Sequence, residues 1–222
     1  MEWAISESNQ DFLPFSILEL NMAMKYIKTG KVARSEGIAV QMILHFGDRR
    51  KEWLLALFNK CATTYRTPKI RKRAKLVSLV KPGKDPLSPK IYRQILPLCI
   101  TYRLYEGMIM ARLSPKVEGK LSTDPADFWP GQSCCSQVQN LTQYIEDGFE
   151  NRQFTGTAFV DLTPAYDTIN NWALLLNVTQ TVEDINIVWL IESLLVNRRF
   201  FVELDSKKSK WGPKRTGSIW AL

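Results

Sequence analysis

One short segment of the chain brings two carboxylates and a tyrosine together: residues 157–170 read TAFVDLTPAYDTIN and contain Asp161, Tyr166 and Asp167. An apolar run at 158–160 predicts a buried strand, and this run leads directly into Asp161. A carboxylate at the end of a strand is held by the sheet while its oxygens face open space. Because Mg²⁺ prefers oxygen ligands, Asp161 and the backbone carbonyl of Leu162 form a predicted magnesium site. The alternative is that Asp161 caps the helix that follows, which is a common arrangement.

The chain carries an excess of positive charge. Its 222 residues include 30 Lys and Arg against 22 Asp and Glu, which gives a formal charge of +8. Such an excess favours polyanionic partners, first nucleic acid and second an anionic membrane, although many proteins are basic without either partner. A carboxylate at a strand end in a basic chain predicts metal-assisted phosphoryl transfer on nucleic acid.

Positive charge is densest in the segment KIRKRAK at 69–75. We predict that this run binds nucleic-acid phosphates together with one lysine of the turn that follows. The alternatives are a solvated face of the protein or a localisation signal. The predicted contacts are Lys69, Arg71, Lys72, Arg73, Lys75 and Lys84.

Cysteine usage and the N-terminal segment predict an intracellular protein of the cytoplasm or nucleus, not a secreted one. The four cysteines show no CxxC spacing, and the adjacent pair at 134–135 is poorly placed to bridge to itself. His45 has no companion ligand nearby, so we interpret it as a structural or surface residue. The first residues do not form a signal peptide, and no apolar run is long enough to span a bilayer, so no membrane partner is expected.

Hydrophobic periodicity predicts an α+β chain in which helices dominate. A helix beginning at Ser16 has a capping box with Glu19, an inward face that includes Leu20 and Met24, and a stop at Gly30. A second helix has Asp48 as its possible cap and an apolar stripe of Trp53, Leu54, Leu57, Phe58 and Cys61.

Further helices are predicted around 101–113, 136–151, 171–178 and 184–197. Their inward positions include Leu104, Met108 and Leu113 in the first of these, and Val138, Leu141 and Ile145 in the second. Strands are predicted at 76–80 and 199–204, and residues 85–100, with three prolines, are predicted to be loop-like.

Six motifs occur in an order that resembles the reverse transcriptase of non-LTR (LINE-type) retrotransposons, over about residues 15–222. They are FSILELNMAMKYIKTGKVARSEGI, the segment LFNKC with KIRKRAKLVSLVKPGKD, YRQILPL, YRLYEGMIMARL, FWPGQSCCSQV and FVDLTPAYDTIN. The resemblance implies an incomplete right-hand polymerase. A loose tail at 1–14 would precede a fingers region at 15–155, and a partial palm would occupy 156–222.

Specific roles follow from this resemblance. Asp161 corresponds to the catalytic aspartate that binds two Mg²⁺ ions, and Tyr166 to the aromatic residue that excludes a ribose 2′-hydroxyl. Lys81 and Arg93 would hold the nucleotide triphosphate from a β-hairpin, while Asp167 has no assigned chemistry and is as well suited to capping a helix. The implied partners are an RNA template, a DNA primer and deoxynucleotides.

The chain also departs from the family pattern. Gln94 replaces an expected proline, the 125–129 loop lacks its glycine, and KRTGSIWAL stands where motif B is expected. No Ala-Asp-Asp triplet occurs in the 222 residues, so we expect this polypeptide to hold Mg²⁺ weakly, to be inactive alone and to be prone to association. The alternatives are a residual, non-specific nucleic-acid-binding protein and a decayed reading frame without a selected function.

Overall fold

The computed structural model describes residues 12–27, 37–80, 92–95, 98–120, 133–159, 169–204 and 207–213. Two 3₁₀ turns span Lys69–Lys72 and Glu118–Lys120. The helices are α1 (Ile17–Lys25), α2 (Val40–Leu44), α3 (Asp48–Thr63), α4 (Ile100–Val117), α5 (Cys134–Glu150), α6 (Asn171–Thr181) and α7 (Ile185–Leu195). The strands are β1 (Arg73–Val80), β2 (Tyr92–Ile95), β3 (Arg199–Leu204), β4 (Lys207–Lys208) and β5 (Gly212–Pro213).

One mixed sheet joins these strands and confirms the predicted α+β class. β1 pairs antiparallel with β2 along one of its sides and parallel with β3 along the other. β3 then pairs antiparallel with both β4 and β5. Because Arg199 and Phe200 pair with β1 and with β5 at once, β5 lies on the edge of β3 that faces away from β1. The strand predicted at 199–204 is therefore confirmed, as is the one predicted at 76–80, which begins earlier, at Arg73.

The return segment opposite β3 contains a β-bulge. Glu203 pairs with Lys208 and Phe200 pairs with Gly212, so two residues of β3 oppose three residues of the returning chain, 209–211. Ser209 marks the start of the irregularity, because its backbone N–H donates to the Val202 carbonyl and its hydroxyl accepts from the Val202 N–H, both at 2.9 Å. An extra residue of this kind bends the strand and changes the direction of the side chains beside it.

Helix α4 forms the centre of the core. Tyr102, Leu104, Tyr105, Met108 and Ile109 are all at most 1% exposed, and the predicted inward positions of this helix are confirmed. α1 and α7 pack against α4, and the Tyr102 hydroxyl donates to the carbonyl of Leu194 in α7 at 2.9 Å. The inner face of the sheet, with Ala74 and Leu76 buried, packs into the same hydrophobic cluster. The sheet is thus held on one side by helices.

The beginning of α1 is confirmed in detail. The Ser16 hydroxyl accepts from the Glu19 backbone N–H at 3.2 Å, and the Glu19 carboxylate accepts from the Ser16 N–H at 2.7 Å, which is a complete capping box. Leu20 and Met24 are buried as predicted. The stop predicted at Gly30 is wrong, because α1 already ends at Lys25, with Tyr26 as its cap; Gly30 itself lies outside the described residues.

Helix α3 corrects two predictions. Its buried face consists of Leu54, Phe58, Cys61 and Ala62, whereas Trp53 is 79% exposed and Leu57 is 38% exposed. Both were wrongly predicted to be buried, because the apolar stripe is wider than the surface of α3 that α1 and α4 cover. Asp48 is the first residue of the helix rather than its cap, which is Gly47. Its carboxylate in the first turn still interacts favourably with the helix dipole.

The segment from α5 to residue 159 also differs from expectation. α5 forms as predicted, but Val138 is 63% exposed and Leu141 and Ile145 are only partly buried. The strand predicted at 158–160 is wrong where the structure describes it: Ala158 and Phe159 are exposed and form no strand. A strand requires a hydrogen-bonded neighbour, and neither residue pairs with the sheet.

Residues 85–100 are not entirely loop-like, because they include β2 and the first residue of α4. The antiparallel pairing of β1 with β2 agrees with the hairpin that the resemblance implied. None of the four cysteines forms a disulfide; Cys61 and Cys99 are buried, and Cys134 and Cys135 are exposed. Across the described part of the chain, no helix has the length and apolar character that crossing a bilayer requires.

Candidate nucleic-acid interface

The basic run at 69–75 is divided by the local structure into exposed and buried cations. It begins in the 3₁₀ turn and continues into β1. Lys69 and Arg73 are exposed, whereas Arg71 is partly buried with its guanidinium 5.6 Å from the centre of the Phe58 ring. Lys72 is 7% exposed, and desolvation by burial lowers the pKa of its ammonium group. Only part of the predicted run therefore presents charge to an external partner.

The alternation of β1 continues this division across the sheet. Ala74 and Leu76 point into the core, so the alternate residues Arg73 and Lys75 point away from it. Residues in register on neighbouring strands share a face, and Arg73 is in register with Arg199. Lys75 forms an ion pair with Glu203 of β3 at 3.0 Å. The side of the sheet opposite the helices is therefore polar and predominantly basic.

The bulge places an aromatic side chain on this side. Trp211 is 40% exposed and meets Phe201 edge to face, with 4.8 Å between ring centres. The Arg73 guanidinium lies over the Trp211 ring at 5.3 Å, and Arg199 contacts the Trp211 carbonyl at 3.5 Å. We call this surface the outer sheet face and define it as Arg73, Lys75, Arg199, Phe201, Glu203, Lys208 and Trp211.

The positive charge of the outer sheet face is only partly neutralised by the carboxylate of Glu203 on the same face. The pKa of Glu203 is lowered, chiefly by its hydrogen bond from Lys75 and further by the charges of Lys75 and Lys208. Arg73, Arg199 and Lys208 are exposed, and Lys207 and Lys210 add two exposed lysines beside them. The sequence places Asp205 between β3 and β4, outside the described residues. A surface with this balance attracts polyanions.

Several residues that the sequence singled out for metal, nucleotide or nucleic-acid binding lie outside the described part of the chain, together with Asp167. These are Asp161, Leu162, Tyr166, Asp167, Lys81 and Lys84. Arg93 is on β2, in register with Leu79 of β1, and only its backbone position is described. Among the residues that are described, no group of three His, Cys, Asp or Glu side chains could hold a metal ion. The magnesium and nucleotide sites therefore remain predictions.

Sequence analysis missed Trp211, Phe201, Arg199 and Lys208 as candidate binding residues. The segment RFFVEL at 199–204 was correctly predicted as a strand, but the pairing of the basic segment KKSKWGP with it was not predicted. The signal that joins them is a lone tryptophan among lysines directly after an aromatic strand. The position of Trp211 on the sheet depends on the extra residue of the bulge, and the sequence of this segment does not show how it pairs with β3.

Known proteins similar to this chain carry RNA-directed DNA polymerase names. The chain is 26% identical to the "Probable RNA-directed DNA polymerase from transposon BS" of Drosophila melanogaster over 198 residues, which are 88% of this chain and 22% of that protein. It is 23% identical, over the same shares, to the "RNA-directed DNA polymerase from mobile element jockey" of Drosophila funebris. The chain is a homologue of non-LTR retrotransposon RNA-directed DNA polymerases.

A third relative extends the pattern to another kind of mobile element. The "Probable RNA-directed DNA polymerase from transposon X-element" of Drosophila melanogaster is 26% identical over 134 residues, 59% of this chain and 15% of that protein. No protein-family model matches the chain. Two of these matches cover most of this chain. The chain spans only about a fifth of the length of those two curated relatives. The resemblance drawn from the six motifs is thus confirmed.

Proposed function

We propose that this chain serves RNA-directed DNA synthesis as a segment that contacts template, primer and deoxynucleotide. The observation that carries the proposal is the similarity of 88% of the chain to two RNA-directed DNA polymerases of mobile elements. The basic outer sheet face supports it, because a surface of exposed cations suits a phosphate backbone. The order of the motifs supports a right-hand polymerase arrangement, with fingers at 15–155 and palm residues after 156.

Within this proposal, Asp161 is the magnesium-binding carboxylate and Tyr166 lies against the sugar of the incoming nucleotide. Lys81 and Arg93 hold the triphosphate, since cationic side chains hydrogen-bond strongly to phosphate oxygens. The pairing of β1 with β2 supports this role, because it holds the backbone of Arg93 beside Leu79 in a regular sheet.

The donor chemistry of Asp161 suits Mg²⁺, but the ligand set within these 222 residues is small. A two-metal site needs several carboxylates to converge on ions about 3.5–4 Å apart. The sequence offers Asp161, the Leu162 carbonyl and at most Asp167 in this region. The residues present therefore do not make up a complete two-metal site, and we derive no chemical step from it.

A second candidate function is nucleic-acid binding without catalysis. The exposed cations Lys69, Arg73, Arg199 and Lys208 favour it, because they need no metal to bind phosphates. Both functions require the same first step, which is salt-dependent association with RNA. This step can be tested on the 222-residue polypeptide.

We expect the polypeptide to bind RNA with an affinity that falls as salt rises, because each phosphate contact releases counterions. Replacing two exposed cations of the run, Lys69→Gln with Arg73→Gln, should reduce the slope of log affinity against log salt by about 1.4 on single-stranded RNA, since each lost contact removes about 0.7. Fluorescence anisotropy over a salt series measures this slope.

The matched control is Arg49→Gln with Arg50→Gln. It removes the same charge from two exposed residues in the first turn of α3. If both double variants reduce the slope equally, net charge rather than the basic run determines binding. If the unaltered polypeptide shows no salt-dependent binding to RNA, the proposed contact function is wrong.

A further inference from the structure

The outer sheet face combines two features that RNA backbone binding alone does not need. The first is an aromatic pair, exposed Trp211 and partly buried Phe201, in edge-to-face contact with 4.8 Å between ring centres. The second is a bulge that adds one residue between Ser209 and Gly212 and so allows the indole to reach Phe201 and Arg73.

Aromatic rings interleaved with cations bind unpaired nucleic-acid strands. Bases stack on aromatic side chains and on arginine guanidinium planes, while neighbouring lysines and arginines follow the phosphates. The outer sheet face supplies the ring of Trp211, the guanidinium of Arg73 beside it, and exposed Arg199 and Lys208 around them. A duplex keeps its bases stacked inside and presents only its backbone to such a surface.

We propose that the outer sheet face binds single-stranded RNA by stacking an unpaired base on Trp211. The inference rests on the proposed function, because RNA is the template of an RNA-directed polymerase. Arg73 fixes the orientation of the indole, and Phe201 supports its edge from β3. Glu203 is the one described carboxylate on this face, and its ion pair with Lys75 reduces its repulsion of phosphate.

The test compares Trp211→Ala with Trp211→Phe on an RNA oligomer of about 12 nucleotides, a length within the range that single-strand-binding surfaces cover. Trp211→Ala should lower affinity about tenfold, because it removes the ring on which the base stacks. Trp211→Phe should retain most of the affinity because it retains a ring. The salt slope should be unchanged in both variants, since no phosphate contact is lost.

Three controls separate stacking from other effects. Phe149→Ala removes an aromatic side chain of similar character that is 74% exposed on α5, and it should not change binding. An oligomer with abasic nucleotides keeps its phosphates, and Trp211→Ala should not change its affinity. A double-stranded RNA of equal length should be equally insensitive. Melting temperatures of all variants show whether each remains folded.

Several results would overturn the inference while leaving the proposed function in place. They are unchanged affinity in Trp211→Ala, an equal loss for base-containing and abasic oligomers, and an equal loss in Trp211→Phe. A DNA strand bound more tightly than RNA through Trp211 would overturn the assignment to RNA. Absence of salt-dependent RNA binding in the unaltered chain would instead count against the proposed function itself.

Discussion

Glu106 is an acidic residue in the middle of a helix that the core surrounds. Its side chain is 7% exposed on α4, and one carboxylate oxygen has no hydrogen-bond partner. Burial raises the pKa of Glu106 to about 7, although the positive charges of Arg198 and Arg103 act in the opposite direction. The same carboxylate helps to raise the pKa of the neighbouring Tyr102, whose shift is mainly due to desolvation. A buried acid of this kind makes stability depend on pH.

The predicted effect of Glu106 on stability has a definite sign. The folded state binds its proton more tightly than the unfolded state, in which the pKa is 4.5. The stabilisation is therefore complete below about pH 4.5 and is lost as the pH rises towards 7. Glu106→Gln should remove this dependence, leaving the variant more stable than the parent at pH 8 by on the order of 2–3 kcal/mol.

Urea denaturation of both proteins at several pH values between 4.5 and 8 measures the difference. Tyr102→Phe is a useful control, because it removes a buried hydrogen bond of α4 without removing an acid. It should destabilise the protein by about 1 kcal/mol at every pH. A stability difference between Glu106→Gln and the parent that does not change with pH would contradict the raised pKa.

At the scale of elements, Arg112 of α4 links the first turn of α1 and the residues before it to the core. Its guanidinium donates to both oxygens of Glu19, at 2.6 and 3.1 Å, and to the carbonyls of Leu13 and Pro14. It also lies 4.2 Å from the centre of the Phe15 ring. Desolvation raises the pKa of Glu19, but the hydrogen bonds from Arg112 and Ser16 and the Arg112 charge outweigh it, and the net pKa is lowered.

We expect Arg112→Lys to destabilise the protein nearly as much as Arg112→Ala, by about 2 kcal/mol each. A lysine can replace the charge but cannot form the planar, bidentate contact or stack in the same way. Because the pKa of Glu19 is lowered in the folded state, its contribution is present above pH 4.5 and is lost as the pH falls through the folded-state value. Thermal melts of both variants at pH 7 and pH 3 test this, and a fully stable Arg112→Lys variant would count against it.

The elements that sequence predicted well are those whose local chemistry determines them. Ser16 and Glu19 define the start of α1 without any tertiary contact, and the apolar spacing of α4 agrees with a helix packed on several sides. Trp53 and Phe159 were wrongly predicted to be buried for a different reason. Apolar character shows that a residue can be buried, but whether another element covers it depends on the assembled fold. The bulge at 209–211 likewise depends on which residues of β3 the turn meets.

At the scale of the whole molecule, the described fold has a helical core on one side of a mixed sheet and a basic, aromatic face on the other. The similarity to mobile-element polymerases extends over 88% of the chain, so it covers most of the described fold. The core explains how the sheet is held, and the exposed face explains how a polyanion could be bound. The chemistry assigned to Asp161 requires more ligands than its neighbours in sequence supply.

This requirement leads to a prediction about catalysis. The 222-residue polypeptide should give no product in primer extension on an RNA template with Mg²⁺ and deoxynucleotides, because the sequence near Asp161 supplies too few carboxylates to hold two ions. A chimera should behave differently if residues 15–213 of this chain replace the matching segment of the Drosophila melanogaster transposon BS protein. There the relative's own residues would complete the site, and extension should depend on Asp161.

Within that chimera, Asp161→Asn should reduce extension at least about a hundredfold, since it removes a charge that stabilises the reacting centre. The matched control is Asp167→Asn. It removes an equal charge six residues further along the chain, and we assign no chemistry to the side chain of Asp167. Gel-shift binding of a template–primer duplex shows that each chimera is folded and competent to bind. A chimera that binds template–primer but extends equally well with asparagine at 161 would refute the assignment of Asp161. Extension by the unaltered 222-residue polypeptide would show that residues other than Asp161 and its neighbours in sequence hold the ions, and the predicted inactivity would be wrong.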